Sequence, residues 1–149
     1  MECGSGVLLR RQHMTREKHL ELIQGVINRM ASNSFHLKGW SVVLVSALFA
    51  LAASNAKVYF VYLAFLPAIA FWVLDGYFLW QERMYRKLYD AVRKGEDDQS
   101  DFSMNAYNYE AEVPSWPATC VSKTLLIFHG MIVAAVVIVM VLMLVAGTS

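Results

Sequence analysis

The sequence predicts an all-α membrane protein: a long N-terminal helix continues into a transmembrane hairpin with a cytoplasmic helical extension, followed by an aromatic loop and a third transmembrane helix. Three observations lead to this fold class. The chain of 149 residues is 57% hydrophobic with a mean hydropathy of +0.41, whereas soluble domains are about 45–50% apolar. Three apolar runs approach the length of a bilayer span, and the basic residues lie almost entirely on one side of them. The length leaves room for one domain.

The three apolar runs lie at residues 40–54, 58–80 and 124–145. A membrane-spanning helix needs about 20 apolar residues, so the second and third runs are long enough. The first is slightly short, but helix-compatible sequence precedes it directly and can carry the helix into the bilayer. The segment SNAK after the first run leaves room only for a tight hairpin.

The distribution of basic residues predicts the orientation. Of the 13 lysines and arginines, Lys57 alone lies in the hairpin, and none follows the third run. The others precede the first run or lie between the second and third. Since basic residues collect on the cytoplasmic side, the N-terminus and residues 81–123 are predicted to be cytoplasmic and the C-terminus outside, in a bacterial inner membrane.

Residues 16–94 are predicted to form the cytoplasmic helix and the hairpin, after a flexible N-terminus at 1–15 in which Met14 is an alternative start. Apolar or small residues repeat at alternating spacings of three and four, which predicts one helix of about 38 residues. This first stripe comprises Leu20, Ile23, Ile27, Met30, Ser34, Leu37, Ser41, Leu44, Leu48 and Leu51. A second stripe comprises Phe78, Gln81, Tyr85, Leu88 and Val92, and Lys94-Gly95 ends it. The stripes either pack on each other within the chain or also meet neighbouring subunits.

Small residues mark two faces of the hairpin. Ser46, Ala50 and Ser54 share one face of the first span, and Ala64 and Ala68 share one face of the second. Small side chains at this spacing let helix backbones approach closely in lipid. The pattern predicts helix packing and a homo-oligomer.

Two ionisable residues interrupt the spans at similar depth. Asp75 precedes Arg83 by about 12 Å of helix, and His129 follows Lys123 by about 9 Å. We expect a hydrogen-bonded pair between the second and third spans, within or between subunits. It either fixes helix register or serves as a polar ring at the inner mouth of a pore or as a proton-sensitive latch.

Other residues carry narrower predictions. Pro67 lies near the middle of the second span and should kink it, as a structural bend or as a gating hinge. Snorkelling to the membrane surface and contact with anionic lipid account for five basic residues: Arg29, Lys38, Arg83, Arg86 and Lys87.

Residues 95–123 are predicted to form an irregular cytoplasmic loop, which begins with a solvated acidic stretch. Its aromatic residues are too numerous for plain disorder and should pack on the cytoplasmic hairpin. A loop of this length in a small protein is more often functional than neutral. The predicted surface for a partner comprises Phe102, Tyr107, Tyr109 and Trp116.

Several stretches resemble known membrane proteins. The runs GVINRMASNSFHLKGWSV, LDGYFLWQERMYRKLYDAV, FSMN and SKTLLIFHG are similar to those of a group of uncharacterised small bacterial multi-span membrane proteins. The layout more loosely resembles the SLATT and RipA-type families, including membrane accessory proteins of CRISPR systems. That resemblance implies ring-like oligomers, octameric in some cases, and membrane permeabilisation in antiviral defence. The third span and the 95–123 insert depart from the simplest SLATT layout.

The sequence contains none of the motifs that would predict an enzyme, a cofactor site or a metal site. The net charge of +1 gives no reason to expect direct binding of nucleic acid. Two functions are left open. One is a homo-oligomeric channel- or pore-like effector that opens on a cytoplasmic protein or nucleotide signal, and the other is a membrane anchor or scaffold for a cytoplasmic partner.

Overall fold

A computed structural model describes the backbone of residues 3–55, 59–95 and 102–147 and the side chains of 15–54, 59–95 and 102–145. The elements are α1 (Cys3–Asn55), α2 (Tyr59–Lys94), a 3₁₀ helix (Ala106–Glu112), α3 (Trp116–Cys120) and α4 (Lys123–Gly147). All regular secondary structure in the described part of the chain is helical, and α1, α2 and α4 are long and apolar enough to cross a membrane. These findings confirm the all-α class with three apolar helices. α2 is the central helix, which all the other elements contact.

Helix α1 is longer than the sequence predicted. It has 53 residues and begins at Cys3, so residues 3–15 continue the helix where a flexible N-terminus was expected. Arg16 donates from Nε to the Val92 carbonyl at 3.0 Å and from Nη2 to the Arg93 carbonyl. The last carbonyls of a helix have no partner within that helix. Arg16 therefore caps the C-terminus of α2 from within α1, far from the hairpin turn that connects the two helices.

Helix α2 runs through Pro67 and ends where the sequence predicted. Gly95 follows with a φ of 79°, and its amide donates to the Ala91 carbonyl at 3.0 Å. This left-handed position beyond a helix end is the one that glycine occupies at least cost. Pro67 is buried within the helix, so its ring contributes to packing as well as removing a backbone donor.

The polar half of the hairpin, residues 15–39 of α1 and 76–94 of α2, has its own apolar core. Fully or nearly buried residues from both helices meet there: Ile23, Ile27, Trp80, Met84, Leu88 and Val92. Aliphatic side chains like these contribute about 1.5–3 kcal/mol each when they leave water. Ile23 and Ile27 of the first predicted stripe therefore lie in one core with Leu88 and Val92 of the second. Trp80 and Met84 belong to the same core but lie outside the predicted stripes.

The apolar half, residues 40–54 of α1, 59–75 of α2 and α4, packs around a second cluster: Val45, Ala52, Val61, Ala64, Ala68 and Val136. The first stripe shifts by one residue here. Val45 and Ala52 are buried, while Leu44 and Leu51, which the seven-residue repeat predicted to pack, are exposed. A straight α-helix has 3.6 residues per turn, so its contact face drifts away from a strict seven-residue repeat over several turns.

The segment predicted as an irregular loop contains two short helices in its described part. Asn105 caps the 3₁₀ helix by accepting a hydrogen bond from the Tyr107 amide at 3.2 Å. α3 follows Ser115 and carries proline in its first turn, a position that proline favours. Both helices pack on α2. Helices of five and seven residues are too short to show a hydrophobic period, so only the capping residues could have indicated them.

Candidate functional site

The candidate site surrounds Asp75, which has no exposed surface and contacts side chains from both other long helices. His129 Nε2 on α4 lies 2.9 Å from Asp75 Oδ2. Lys38 Nζ on α1 lies 2.6 Å from the same oxygen, and the Ser34 hydroxyl donates to Asp75 Oδ1. We call Ser34, Lys38, Asp75 and His129 the Asp75 network. The structure thus brings the two ionisable residues of the spans together within one chain.

Lys38 belongs to this network rather than to the membrane surface alone. Its ammonium also donates to Ser34 Oγ at 2.8 Å, and the side chain is only 27% exposed. The position of Lys38 near the predicted membrane surface indicated snorkelling and gave no sign of a contact with Asp75. One signal was present: Ser34 belongs to the first stripe, and Lys38 follows it by four residues, so both share a helix face.

His129 is held by Asp75 and Trp72, and one of its ring nitrogens has no hydrogen-bond partner in the described part of the chain. Its ring stacks on Trp72 with centroids 5.9 Å apart and planes 8° apart, and it has no exposed surface. A carboxylate accepts but does not donate, so Nε2 carries the proton of the bond to Asp75. Nδ1 is buried without a hydrogen-bond partner among the described residues, and so is the hydroxyl of Ser41. An unsatisfied buried polar atom costs about 1–3 kcal/mol, so this site is not a fully satisfied packing contact.

The stability of the Asp75 network depends on several contacts that form together. A charge at the bilayer centre costs about 2.5–3.5 kcal/mol on insertion scales, and pairing reduces that cost. A buried ion pair does not guarantee stability, but removing one partner leaves the other uncompensated. Lys38 and Asp75 neutralise each other, and Ser34 and His129 add hydrogen bonds. The network therefore joins α1, α2 and α4 by contacts that depend on one another.

Helix α3 docks on α2 directly beside the network. A Cβ on Gly76 would lie 3.3 Å from Cys120 Cα and closer still to Cys120 Sγ, so glycine is needed for this approach. Trp72 Nε1 donates to the Cys120 carbonyl at 2.8 Å. Burial, and then the negative charge of Asp75, raise the pKa of the Cys120 thiol. These contacts connect the segment before α4 to the helix that carries Asp75.

The two faces of small residues have different environments. Ala64 and Ala68 are buried in the core of the apolar half, where α2 packs on α1 and α4. Ser46, Ala50 and Ser54 are exposed on α1. Packing within the chain therefore buries the small residues of the second span, whereas the small residues of the first span are not covered by the described part of the chain.

The remaining predicted basic residues do not form one surface. Arg29 is exposed on α1. On α2, Arg86 forms an ion pair with Glu82 at 2.7 Å and Lys87 one with Glu112 at 3.5 Å. Arg83 Nη1 lies 3.4 Å from the Thr119 hydroxyl.

The aromatic residues of segment 102–123 are divided between packing and exposure. Tyr107 Oη accepts from Gln81 Nε2 at 2.7 Å, and its ring meets Trp80 edge-on at 6.1 Å. Tyr109 packs on the core of the polar half. Phe102 meets the His19 ring at 5.6 Å but is 52% exposed, and Trp116 is 38% exposed.

Comparison with known proteins finds no similar protein. No protein-family model matches the sequence, and no curated protein or solved structure is significantly similar to it. Within the part of the chain that the structure describes, no three His, Cys, Asp or Glu residues form a group that could hold a metal ion.

Proposed function

We propose that the protein is a homo-oligomeric integral membrane protein with a channel-like function, and that the Asp75 network is the latch that keeps its three spans closed at the cytoplasmic end. The observation that carries this proposal is a fully buried carboxylate tied to both other long helices. Ionisable residues within membrane helices are costly and usually functional. A bundle that served only as an anchor could use apolar side chains at these positions.

The latch would act through charge. The ion pair between Lys38 and Asp75 holds α1 to α2, and the bond from His129 holds α4 to the same carboxylate. Neutralising the Asp75 carboxylate, or moving the Lys38 ammonium into solvent, removes the attraction between these two side chains. The part of α1 around Lys38 is then free to separate from α2. The burial of the network inside one chain favours a latch over a polar ring around an intersubunit pore.

The proposed orientation in the membrane is inferred from the distribution of the basic residues. The N-terminus and residues 81–123 would be cytoplasmic, the C-terminus outside, and the membrane a bacterial inner membrane. The uncovered face of Ser46, Ala50 and Ser54 would pack against a second copy of the chain. A cytoplasmic protein or a nucleotide signal would release the latch. A role in antiviral defence rests on the resemblance to SLATT and RipA-type proteins.

The test is ion flux through liposomes that contain the purified full-length chain. Asp75→Asn removes the charge of the latch with little change of shape, and Asp90→Asn makes the same chemical change in an exposed pair with Arg93. We expect Asp75→Asn to raise dye or potassium release several-fold, and Asp90→Asn to behave as the wild type. Intact liposomes for every variant, together with a monomeric particle in detergent, would contradict the proposal.

An anchor or scaffold is the second candidate, and one surface favours it. A cavity of 220 Å³ is lined by Thr15, Lys18, His19, Leu22 and Phe102. Leu22 and Phe102 are 63% and 52% exposed although both are large and apolar. This function predicts that liposomes stay intact, and that a partner copurifies with the wild type but is lost from a Leu22→Glu/Phe102→Glu variant.

A further inference from the structure

A cavity of 330 Å³ opens on α2 at the level where the proposed membrane meets the cytoplasm. It lies between α2 and the segment that links the 3₁₀ helix to α3. Its lining includes three basic residues, two acidic residues and a short apolar wall: Arg83, Arg86, Lys87, Asp90, Glu112, Val113 and Pro114. The volume is at the lower end of the range of about 300–1,000 Å³ that is common for small-molecule sites.

Two markers place this cavity in the headgroup layer, on the assumption that the helices are inserted as proposed. α2 begins at Tyr59, and about 20 residues of helix cross the hydrocarbon core, so the core ends near residue 79. Arg83 then lies about 6 Å beyond it. Independently, Arg83 contacts Thr119, which precedes the start of α4 at Lys123 by about one turn. Both helices therefore put the guanidinium of Arg83 just outside the hydrocarbon.

Within the described part of the chain, the charges around the cavity leave Arg83 without a counterion. Arg86 pairs with Glu82, and Asp90 pairs with Arg93. Lys87 lies 3.5 Å from Glu112, and since both side chains are about half exposed, this pair is weak. Among the residues that the structure describes, Arg83 has no carboxylate partner.

The geometry of Arg83 suits an anion. One guanidinium nitrogen contacts the hydroxyl of Thr119, which is fully buried and itself donates to the Pro114 carbonyl at 3.4 Å. A guanidinium has five N–H donors, so most of them are available for a ligand. Paired donors of this kind bind phosphate in a bidentate manner, and Lys87 can exchange its weak pair with Glu112 for the same ligand.

We propose that this cavity binds the phosphodiester headgroup of an anionic phospholipid, with Arg83 as the main ligand and Lys87 as the second. Arg83, which has no carboxylate partner among the described residues, matches the single negative charge of phosphatidylglycerol. Val113 and Pro114 supply an apolar wall for the glycerol carbons. Bound lipid would hold the segment before α3 against α2 and so support the contact between Cys120 and Gly76.

The test is native mass spectrometry of the purified full-length chain, delipidated in detergent and titrated with phosphatidylglycerol, phosphatidylcholine or inorganic phosphate. We compare the wild type with Arg83→Gln and with a matched control, Arg29→Gln, which removes an exposed arginine of α1 that does not line the cavity. We expect Arg83→Gln to weaken phosphatidylglycerol binding roughly tenfold, Lys87→Gln to weaken it less, and Arg29→Gln to leave it unchanged. Helical circular dichroism and recovery in the membrane fraction check that each variant folds and inserts.

Three outcomes overturn the proposal. Equal loss in Arg83→Gln and Arg29→Gln, or no loss in either, removes Arg83 as a specific ligand. Equal binding of phosphatidylcholine removes the selectivity for an anionic headgroup. Binding of inorganic phosphate as tight as that of the lipid makes this a site for a soluble anion. Wild-type protein that does not insert refutes the membrane assignment itself, independently of the liposome flux that tests channel function.

Discussion

Lys38 Nζ lies 2.6 Å from Asp75 Oδ2, which joins the first long helix to the second at the boundary between the apolar and polar halves of the hairpin. Lys38→Met keeps the length of the side chain but leaves the Asp75 carboxylate without a cation. Losing one partner of a buried pair costs about 3–5 kcal/mol, and the partial exposure of Lys38 reduces the expected loss of unfolding free energy to about 2–3 kcal/mol. Unfolding in detergent micelles measures it. The Lys38→Met/Asp75→Asn double variant should recover part of the loss, and wild-type stability of Lys38→Met would refute the ion pair.

The bond between His129 and Asp75 predicts a coupling energy. Measured hydrogen bonds between membrane helices average about 0.6 kcal/mol and reach about 1.7 kcal/mol. We expect a cycle of His129→Gln, Asp75→Asn and the double variant to give a coupling near the upper end, because both side chains are fully buried. A coupling of zero within error would show that the two residues do not stabilise each other.

The contact between Gly76 and Cys120 predicts a loss of stability on adding a single methyl group. Gly76→Ala would push a Cβ into Cys120, whose backbone cannot move without displacing α3. Overpacking of this kind costs about 1–3 kcal/mol. The control is Gly130→Ala on α4, where a Cβ meets nothing within 4 Å, and we expect it to be neutral or slightly stabilising. Adding Cys120→Ala should rescue Gly76→Ala in part, since it removes the Sγ contact but not the close approach of Cys120 Cα. Equal unfolding free energies for Gly76→Ala and Gly130→Ala would contradict the close packing.

The amino-acid sequence predicts the long helices of this protein better than it predicts the Asp75 network. Composition and run length are local properties, so they predicted three apolar helices and the end of α2 at Lys94. The shared depth of Asp75 and His129 pointed to their contact because helical rise is constant. Depth alone could not say that Lys38 would turn inward, since a lysine near a membrane surface has the alternative of snorkelling into water.

The docking of α3 on α2 is a second feature that the sequence did not predict. The docking of α3 depends on Gly76 and Cys120, which are far apart in sequence and carry no motif. The change of the buried position from Leu44 to Val45 likewise depends on the helical twist that accumulates over several turns. A strict seven-residue repeat does not take this twist into account. Both features arise from packing in three dimensions, and only a weak capping signal preceded α3.

The bond from Gln81 to Tyr107 predicts how firmly segment 102–123 is held. Gln81 is nearly buried, and its side-chain amide donates to Tyr107 Oη at 2.7 Å and to Tyr77 Oη at 3.1 Å. Tyr107→Phe removes one acceptor and keeps the ring contact with Trp80, at a cost of about 1 kcal/mol. We expect limited proteolysis of the segment to accelerate about fivefold, as 1 kcal/mol of local opening implies. Trp116→Phe, at an exposed position, is the control. Unchanged cleavage in Tyr107→Phe would show that the tyrosine does not fasten the segment.

The thiol of Cys120 reports on its surroundings through its pH dependence. Burial, followed by the negative charge of Asp75, raises its pKa, so its thiolate fraction at neutral pH is smaller than that of an exposed cysteine. In a Cys3→Ser background, we expect alkylation by iodoacetamide to be slow at pH 7 and its rate to rise with a midpoint above that of a cysteine in the denatured chain. Because the carboxylate adds to the effect of burial, Asp75→Asn should lower this midpoint without reaching the denatured value. Asp90→Asn, which is distant from the thiol, should leave it unchanged. A midpoint equal to that of the denatured chain would mean that α3 does not hold Cys120 against Gly76, and a midpoint insensitive to Asp75→Asn would mean that the carboxylate is not charged beside it.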